Sequence, residues 1–280
     1  MKVAIIGLGV IGTAQVDMFH EHDLVTYDPQ DHDSYPEREI ASCDFAIVCV
    51  GTPEGPDGRA NLDYVWTAAV EQLPKTVPVA LRSTVPPGTT DLLFGGQKIR
   101  HYVHIPEFMG ENVLHSWQHP TDVPYMIIGG RPEATVFFRD KFTRVFPGTI
   151  HTCTAKESEL AKYAANLYWA TRVTFVNEFA KVCESFGVDY ERVREAWLQD
   201  PRMSKVYTQR AGYPPGFDGR CWPKDLAALI LASEDAGYEP EFLKAIDWAN
   251  ERFRGRTDSS LLKKIHKANE VLRDVGGFFE

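Results

Sequence analysis

The stretch GFDGRCWPKDL, residues 216–226, gathers a thiol, an ammonium and a carboxylate within five positions, at Cys221, Lys224 and Asp225. Of the cysteine forms the thiolate is the nucleophile, so what matters is whether the surroundings favour ionisation. The residues that follow, PKDLAALILASEDAG, read as a helix with proline at its first position, where a missing N–H costs nothing. Cys221 then lies just ahead of the helix start. The positive end of the helix dipole and Lys224 would both favour a thiolate there. The alternative is a buried structural thiol, the common fate of cysteine. The Gly-Arg before Cys221 and the Lys-Asp after it argue against an apolar burial site. A second pair, Lys162 and Asn166, is four residues apart and shares one helix face. A solvated lysine with a polar neighbour is the commoner reading of such a pair, yet Asn166 stands between YAA and LYWA, apolar company for a solvated face.

The opening of the chain holds the third chemical group. After the β-branched run KVAII comes GLGVIG, residues 7–12, a G-x-G-x-x-G pattern leading into TAQVDMFHEH. The first glycine allows a tight turn, the second lets backbone approach a pyrophosphate, and the third lets helix pack on strand. A helix N-terminus then favours the phosphate charge. A second apolar run, DLVTYD, ends in Asp28, about twenty residues after the first glycine, where an acidic side chain can accept hydrogen bonds from an adenosine ribose. No Arg or Lys directly follows Asp28, which favours NAD over its 2′-phosphorylated form. Incidental glycines in an αβ turn are the other explanation of the pattern.

These groups need elements to hold them. Further strands are expected at 44–50, 77–83, 99–105 and 124–130, with helical stretches such as NLDYVWTAAVEQL between some of them. Alternating strand and helix imply a mostly parallel sheet wound on both faces, with ligands beyond the carboxyl ends of the strands. Two strands run into loops rich in hydroxyls, prolines and glycines, GTPEGPDG and STVPPGTT, which are ligand loops or simple turns. After FPGTIHTC the texture changes. From Ala155 to about Phe186 apolar residues recur at three and four without glycine or proline, one long amphipathic helix that Gly187 caps. DYERVREAWLQD is a further helix. The reading is an α/β chain: a Rossmann-like, doubly wound NAD-binding domain at 1–153 and an all-helical domain at 154–280 that carries the cysteine.

Composition sets bounds on partners. The 280 residues are 44% hydrophobic and 25% charged, enough for two globular domains. No apolar run approaches the ~18 residues of a membrane span, so no membrane partner is expected. The net charge of −9 speaks against non-specific nucleic-acid binding. The start MKVAIIGLGVIG carries one early lysine, but its glycines and the missing cleavage site argue against a signal peptide. The cysteines at 43, 49, 153, 183 and 221 form no C-x-x-C and no paired framework, which points to reduced thiols in a cytoplasm, with no metal site.

Taken in order, the segments resemble the UDP-glucose/GDP-mannose dehydrogenase family. GLGVIG resembles its cofactor loop, VGTPEGPDGRANLDYV its T-P-rich segment, STVPPGTT its Ser-Thr-Val loop, IPEFMGE its N-P-E-F-L-x-E, ELAKYAANLYWATRVTFVNE its central helix, and DPR and GFDGRCWPKDLAAL its glycine loop and cysteine. The resemblance implies oxidation of a nucleotide-sugar primary alcohol to the carboxylate by two hydride transfers to NAD. It implies Cys221 as the nucleophile of a thiohemiacetal and thioester, Lys162 as the cation for developing oxyanions and Asn166 as a donor beside it. Asp225 and Thr84 are implied to hold or activate water, with Glu107 a further acid/base candidate. Gly7, Gly9, Val10, Ile11, Gly12, Asp28, Gly51, Thr52, Pro53, Ser83, Thr84 and Glu111 match cofactor contacts. Glu107, Phe108, Glu111, Lys162, Asn166, Phe217 and Gly219 match substrate contacts, and Arg202 an arginine that reaches substrate across a homodimer interface built on the long helix.

The chain also departs from that pattern. Ile105 stands for the asparagine before Pro-Glu, PTDVPYMIIGG has no arginine, and Asp218 and Arg220 replace a glycine and a serine in the loop before Cys221. Asp218 would set a negative charge where a sugar nucleotide is expected. Beyond residue 256 the family has a further domain of roughly a hundred residues; 257–280 is too short to form one, so a lost UDP-binding domain is expected. Two other readings stay open: a two-electron enzyme of the 3-hydroxyacid dehydrogenase type, which needs no cysteine, and a non-catalytic NAD-binding protein.

Overall fold

A computed structural model describes residues 1–110, 117–210 and 214–256. It divides into two compact units, Met1–Pro53 with Ala60–Lys162, and Glu54–Arg59 with the chain from Tyr163 onward.

The first unit is one seven-stranded sheet in the order β2-β1-β3-β4-β5-β6-β7. The strands are β1 (Lys2–Ile6), β2 (Asp23–Tyr27), β3 (Phe45–Val48), β4 (Val79–Leu81), β5 (Tyr102–His104), β6 (Tyr125–Gly130) and β7 (Thr149–Cys153). Every neighbouring pair is parallel except β5 with β6. Parallel neighbours need crossovers, and these are α1 (Val10–Met18), α2 (Glu37–Ala41), α3 (Asp63–Trp66), which runs into a π-helical turn at Thr67–Gln72, and α4 (Thr89–Phe94). After a 3-10 turn at Pro120–Asp122, α5 (Pro132–Phe142) joins β6 to β7. Side-chain alternation explains the two layers. Val3, Ile5, Phe45, Ile47, Ala80 and Val103 face a core with Phe19, Phe138 and Phe142, while Ala4, Ile6, Ala46, Val48, Val79 and Leu81 face another with Ile40, Leu73 and Phe94. Strands buried on both faces read as continuous apolar runs. β1 to β5 therefore present their carboxyl ends along one rim.

The strand β7 is missing from the sequence reading. TIHTC is half polar because it is the sheet's edge, and an edge strand buries little to mark it.

α6 (Ala155–Ser185) is continuous for 31 residues, about 46 Å. Thr154 and Glu157 form a capping box ahead of it, with Thr154 N–H to Glu157 Oε2 at 2.8 Å and Glu157 N–H to Thr154 Oγ1 at 3.3 Å. Gly187, at φ +67°, stands just past its end. The expected domain boundary at 153/154 coincides with the start of α6, whereas the packing boundary falls later, at Lys162/Tyr163. The cause is the buried pair Ser158 and Glu159, which bond to His104 and to the start of α4 in the first unit.

The second unit holds the rest of α6 with α7 (Tyr190–Trp197), α8 (Trp222–Asp235) and α9 (Glu241–Phe253). Asp189 caps α7. Leu167, Ala170, Phe217, Leu226, Ile230 and Ile246 form its core. The short segment Glu54–Arg59 is tied to α8 by a two-pronged pairing of Arg59 with Asp235, one arm Nη2 to Oδ1 at 3.0 Å. Among the described residues no helix is long and apolar enough to cross a membrane.

Candidate functional site

The rim of the first unit collects most of the residues singled out from sequence. Gly7, at φ +89°, makes the turn after β1. Gly12 has no room for a side chain, since a Cβ would stand 1.7 Å from the Gly7 carbonyl oxygen. Gly9 is the opposite case: a Cβ there would meet nothing within 4 Å. It is the N-cap of α1 and no side chain caps the helix, so the first-turn N–H groups of Val10, Ile11 and Gly12 are not satisfied by a cap. Asp28 follows β2, and its carboxylate accepts the Leu8 N–H at 2.7 Å and the Gln30 N–H at 3.0 Å. The first of these bonds fixes the acid beside the glycine loop, and each oxygen keeps a lone pair for a ribose hydroxyl. An open glycine, uncapped helix amides and an adjacent carboxylate together fit NAD, whose diphosphate Gly9–Gly12 would hold and whose adenosine ribose Asp28 would hold.

The next two loops are laced together. Thr52 Oγ1 donates to the Thr84 carbonyl at 2.8 Å, and Ser83 Oγ donates to the Val50 carbonyl at 2.7 Å. Gly51, Thr52 and Pro53 after β3 are thus held against Ser83 and Thr84 after β4. His104 sits beneath, fully buried, with Nδ1 2.7 Å from Ser158 Oγ. Burial, with the charges of Arg82 and Lys162 acting in the same sense, pushes its pKa down to about 3 against a bond to the Ser83 carbonyl, so the ring is neutral.

After β5, Glu107 is 6% exposed and pairs with Arg82, which follows β4 and is 4% exposed. Its Oε1 accepts the N–H groups of Phe108 at 2.8 Å and Met109 at 2.9 Å. Burial alone would raise its pKa, but Arg82 and the two N–H groups outweigh that and hold the carboxyl below the ordinary carboxylate range. These surroundings hold Glu107 fixed and ionised. Phe108 leans on Tyr125 at 5.1 Å, and the Lys162 ammonium lies 5.3 Å from the Phe108 ring centre. Glu111 lies outside the described residues.

The second unit holds the other residues. Cys221 is exposed and is the N-cap of α8, with Trp222 and Pro223 as the first two helical residues, so the proline is one place later than expected. Asp225, 1% exposed, accepts Asn166 Nδ2 on one oxygen at 2.6 Å and Lys224 Nζ on the other at 2.5 Å. Lys224, expected as a charge favouring the Cys221 thiolate, is thus bound to the neighbouring carboxylate. Trp222 packs between Tyr207 and Phe217, at 5.2 and 6.1 Å.

Asn250 explains the glycine loop. Its Oδ1 accepts the Phe217 N–H at 2.7 Å and its Nδ2 donates to the Phe217 carbonyl at 3.1 Å. Gly216, at φ +79°, has to be glycine, because a Cβ would come within 2.7 Å of Asn250 Oδ1. Around Gly219, at φ +97°, a Cβ would meet nothing within 4 Å. The negative charge of Asp218, expected to trouble a substrate, is met by Arg254 and by Arg256 at 3.5 Å. Arg202 is exposed and its guanidinium is folded onto Asp200, Nη2 to Oδ2 at 2.7 Å.

The sequence reading missed Arg82, His104, Glu159 and Asn250. Arg82 left a signal, a charge at the end of the apolar run VPVALRS. Asn250 left none, since its partner lies 33 residues away.

Comparison with known proteins covers both units. Residues 30–146 match the NAD binding domain of the UDP-glucose/GDP-mannose dehydrogenase family, and residues 156–252 match its central domain. The UDP-glucose 6-dehydrogenase YwqF of Bacillus subtilis is 32% identical over 221 residues, 75% of this chain and 49% of that protein. The UDP-glucose 6-dehydrogenase of Pseudomonas aeruginosa is 33% identical over 236 residues, 76% of this chain and 49% of that protein. The chain spans about half the length of the curated relatives it matches. Among solved structures, a UDP-glucose dehydrogenase from the archaeon Pyrobaculum islandicum superposes with a TM-score of 0.76 at 28% identity, covering 90% of this chain and 68% of that one. A UDP-D-ManNAc dehydrogenase from Pyrococcus horikoshii gives 0.73 at 25% identity, covering 96% and 72%.

Proposed function

The chain belongs to the UDP-glucose/GDP-mannose dehydrogenase family, and from that premise we propose that it oxidises the primary alcohol of a nucleotide sugar to the carboxylate. Overall, one alcohol and one water give one carboxylate, two hydrides and three protons. Bound NAD+ would accept each hydride, held by Gly7–Gly12, Asp28, Gly51–Pro53, Ser83 and Thr84. The observation that carries the reading is Cys221, an exposed thiol at the entrance of α8, four residues before a buried carboxylate tied to Asn166.

In this reading the Cys221 thiolate adds to the aldehyde carbon left by the first oxidation, and the new oxyanion takes a proton to give a thiohemiacetal. Loss of a hydride and a proton makes the thioester. Water then cleaves the C–S bond, releasing the acid and the thiol. Lys162 offers positive charge to each oxyanion, Asn166 holds Asp225, and Asp225 with Thr84 orients water. Glu107 braces the loop that carries Phe108.

The long helix supports a homodimer. Tyr168, Phe175 and Val182 are 58%, 51% and 38% exposed. At 100° per residue they fall on one face of α6, the geometry of a helix that packs against a partner. Sedimentation velocity tests this, and a monomer across the micromolar range overturns it. All five cysteines lie among the described residues and none is disulfide-bonded, which favours a cytoplasmic setting.

The deciding measurement supplies a panel of nucleotide sugars with NAD+, counts NADH per substrate and weighs the product. Two NADH and an acid support this reading, whereas one NADH with an oxo product supports a two-electron dehydrogenase. Cys221→Ser is expected to lower acid formation about a thousandfold or more while NAD binding survives. Unchanged acid formation in that variant sinks the thioester route.

A further inference from the structure

Arg82 is out of character with its surroundings. The strand before it, Val79, Ala80 and Leu81, is wholly buried, and Arg82 itself is 4% exposed. One arm bonds Glu107, while Nε and Nη1 have no hydrogen-bond partner among the described residues. A buried ion pair adds little net stability, and one with unmet donors adds less. Its effect is better sought in placement. Arg82 bonds Glu107 Oε2, Glu107 Oε1 holds the Phe108 and Met109 N–H groups, and the Phe108 ring lies 5.3 Å from the Lys162 ammonium. This line of contacts stays inside the first unit.

We propose that Arg82 is a positioning residue for the oxidation, anchoring an ionised Glu107 that in turn holds Phe108 beneath Lys162. The inference rests on the reading of Lys162 as the cation at the oxyanion. Among the described residues, the titratable groups that face Glu107, Arg82 or the Phe108 ring include these. Arg82 comes from the end of β4, Cys49 from beyond β3, His104 from β5, Tyr125 from β6 and Lys162 from α6. The Cys49 thiol is pushed up to about 12 by burial, with Arg82 opposing and Glu107 adding to the rise. The Tyr125 hydroxyl is raised by burial and then by Glu107. With His104 at about 3, these three carry no charge near neutral pH. Without Arg82, burial of the Glu107 carboxylate would be opposed by two backbone N–H groups.

The test is Arg82→Met, followed by isotope-edited infrared titration of carbon-13-glutamate protein, with Glu107→Gln protein as the difference reference. The Glu107 midpoint is expected to rise by about one pH unit or more. A midpoint that does not move overturns the proposal. Turnover should fall about tenfold or more, with the acid limb of kcat moving up in step and the KM for NAD little changed. Arg82→Met combined with Glu107→Gln should return kcat to the Glu107→Gln level without that limb. Additive losses would instead mean that Arg82 acts independently of Glu107, and would overturn it. If Arg82→Met does not fold, Arg82→Lys carries the test: retained charge predicts a midpoint near that of the unaltered protein, and a rise to neutral pH is the contrary result. An unaltered protein without dehydrogenase activity would fail the functional reading, whereas an unmoved midpoint fails this one.

Discussion

Two glutamates of the first unit, Glu107 after β5 and Glu159 on α6, are 6% and 0% exposed, and each is met by several donors. Glu159 receives the Gly88 N–H at 2.5 Å, the Thr90 N–H at 2.8 Å and the Thr90 hydroxyl at 2.6 Å. Glu107 receives two N–H groups and Arg82. Burial pushes both pKa values up. At Glu159 it prevails over the three neutral donors, helped by the charge of Asp91, and the pKa is raised. At Glu107 the arginine reverses it and the pKa is lowered. Dipoles alone do not offset the burial of this kind of carboxylate, and one cation does.

The severest test of that contrast is to remove the cation. Arg82→Met should lower unfolding stability by about 3–5 kcal/mol at neutral pH, read by urea denaturation. Adding Glu107→Gln should recover most of it, and a loss no larger than at a surface site would break the contrast. Next come opposite slopes with pH. Glu107, with a lowered folded pKa, contributes stability that is present above the ordinary ~4.3 of a free glutamate and disappears as pH falls through its folded value. Glu159, with a raised one, contributes stability that is present below ~4.3 and disappears as pH rises through its folded value. Denaturation series over this range should lose the acid-side fall in Glu107→Gln and the rise-side fall in Glu159→Gln. Slopes of the same sign would refute the assignment. A smaller effect is expected from Thr90→Val, about 0.5–1.5 kcal/mol, with the Glu159 midpoint moving further up. The smallest belongs to Asp218→Asn, whose half-exposed carboxylate should cost below about 1 kcal/mol in the same assay, despite its two arginine partners.

What could be read from sequence follows the reach of each interaction. GLGVIG and Asp28 were legible because one tight loop and one strand end state the whole geometry in a short span. α6 was legible because 31 residues run without glycine or proline. Cys221 could be placed at a helix entrance by its neighbours alone. Lys224 was legible only in part, because a lysine beside both a cysteine and an aspartate can serve either, and the buried Asp225 binds it. Asp218 became intelligible through Arg254, 36 residues on. The pairing of Arg59 with Asp235 spans 176 residues, and no local pattern announces it. The edge strand β7 escaped because solvent on one side removes the apolar alternation that reveals a strand.

The unbroken α6 carries a further consequence, for how such a chain can change in length. Lys162 and Asn166 are four residues apart on it, and the packing boundary falls between them, in a helix turn and not in a loop. Loops absorb an added or lost residue by bulging, but a helix transmits it as rotation. One codon inserted between these two positions would turn everything beyond it by about 100° and shift it by about 1.5 Å, carrying Asn166 off its face and away from Lys162. Substitutions along this segment can be graded, whereas insertions and deletions there are close to all-or-none. A deletion scan across 155–175 would read that as a sharp trough in folded yield and activity, with tolerance returning in the loops on either side.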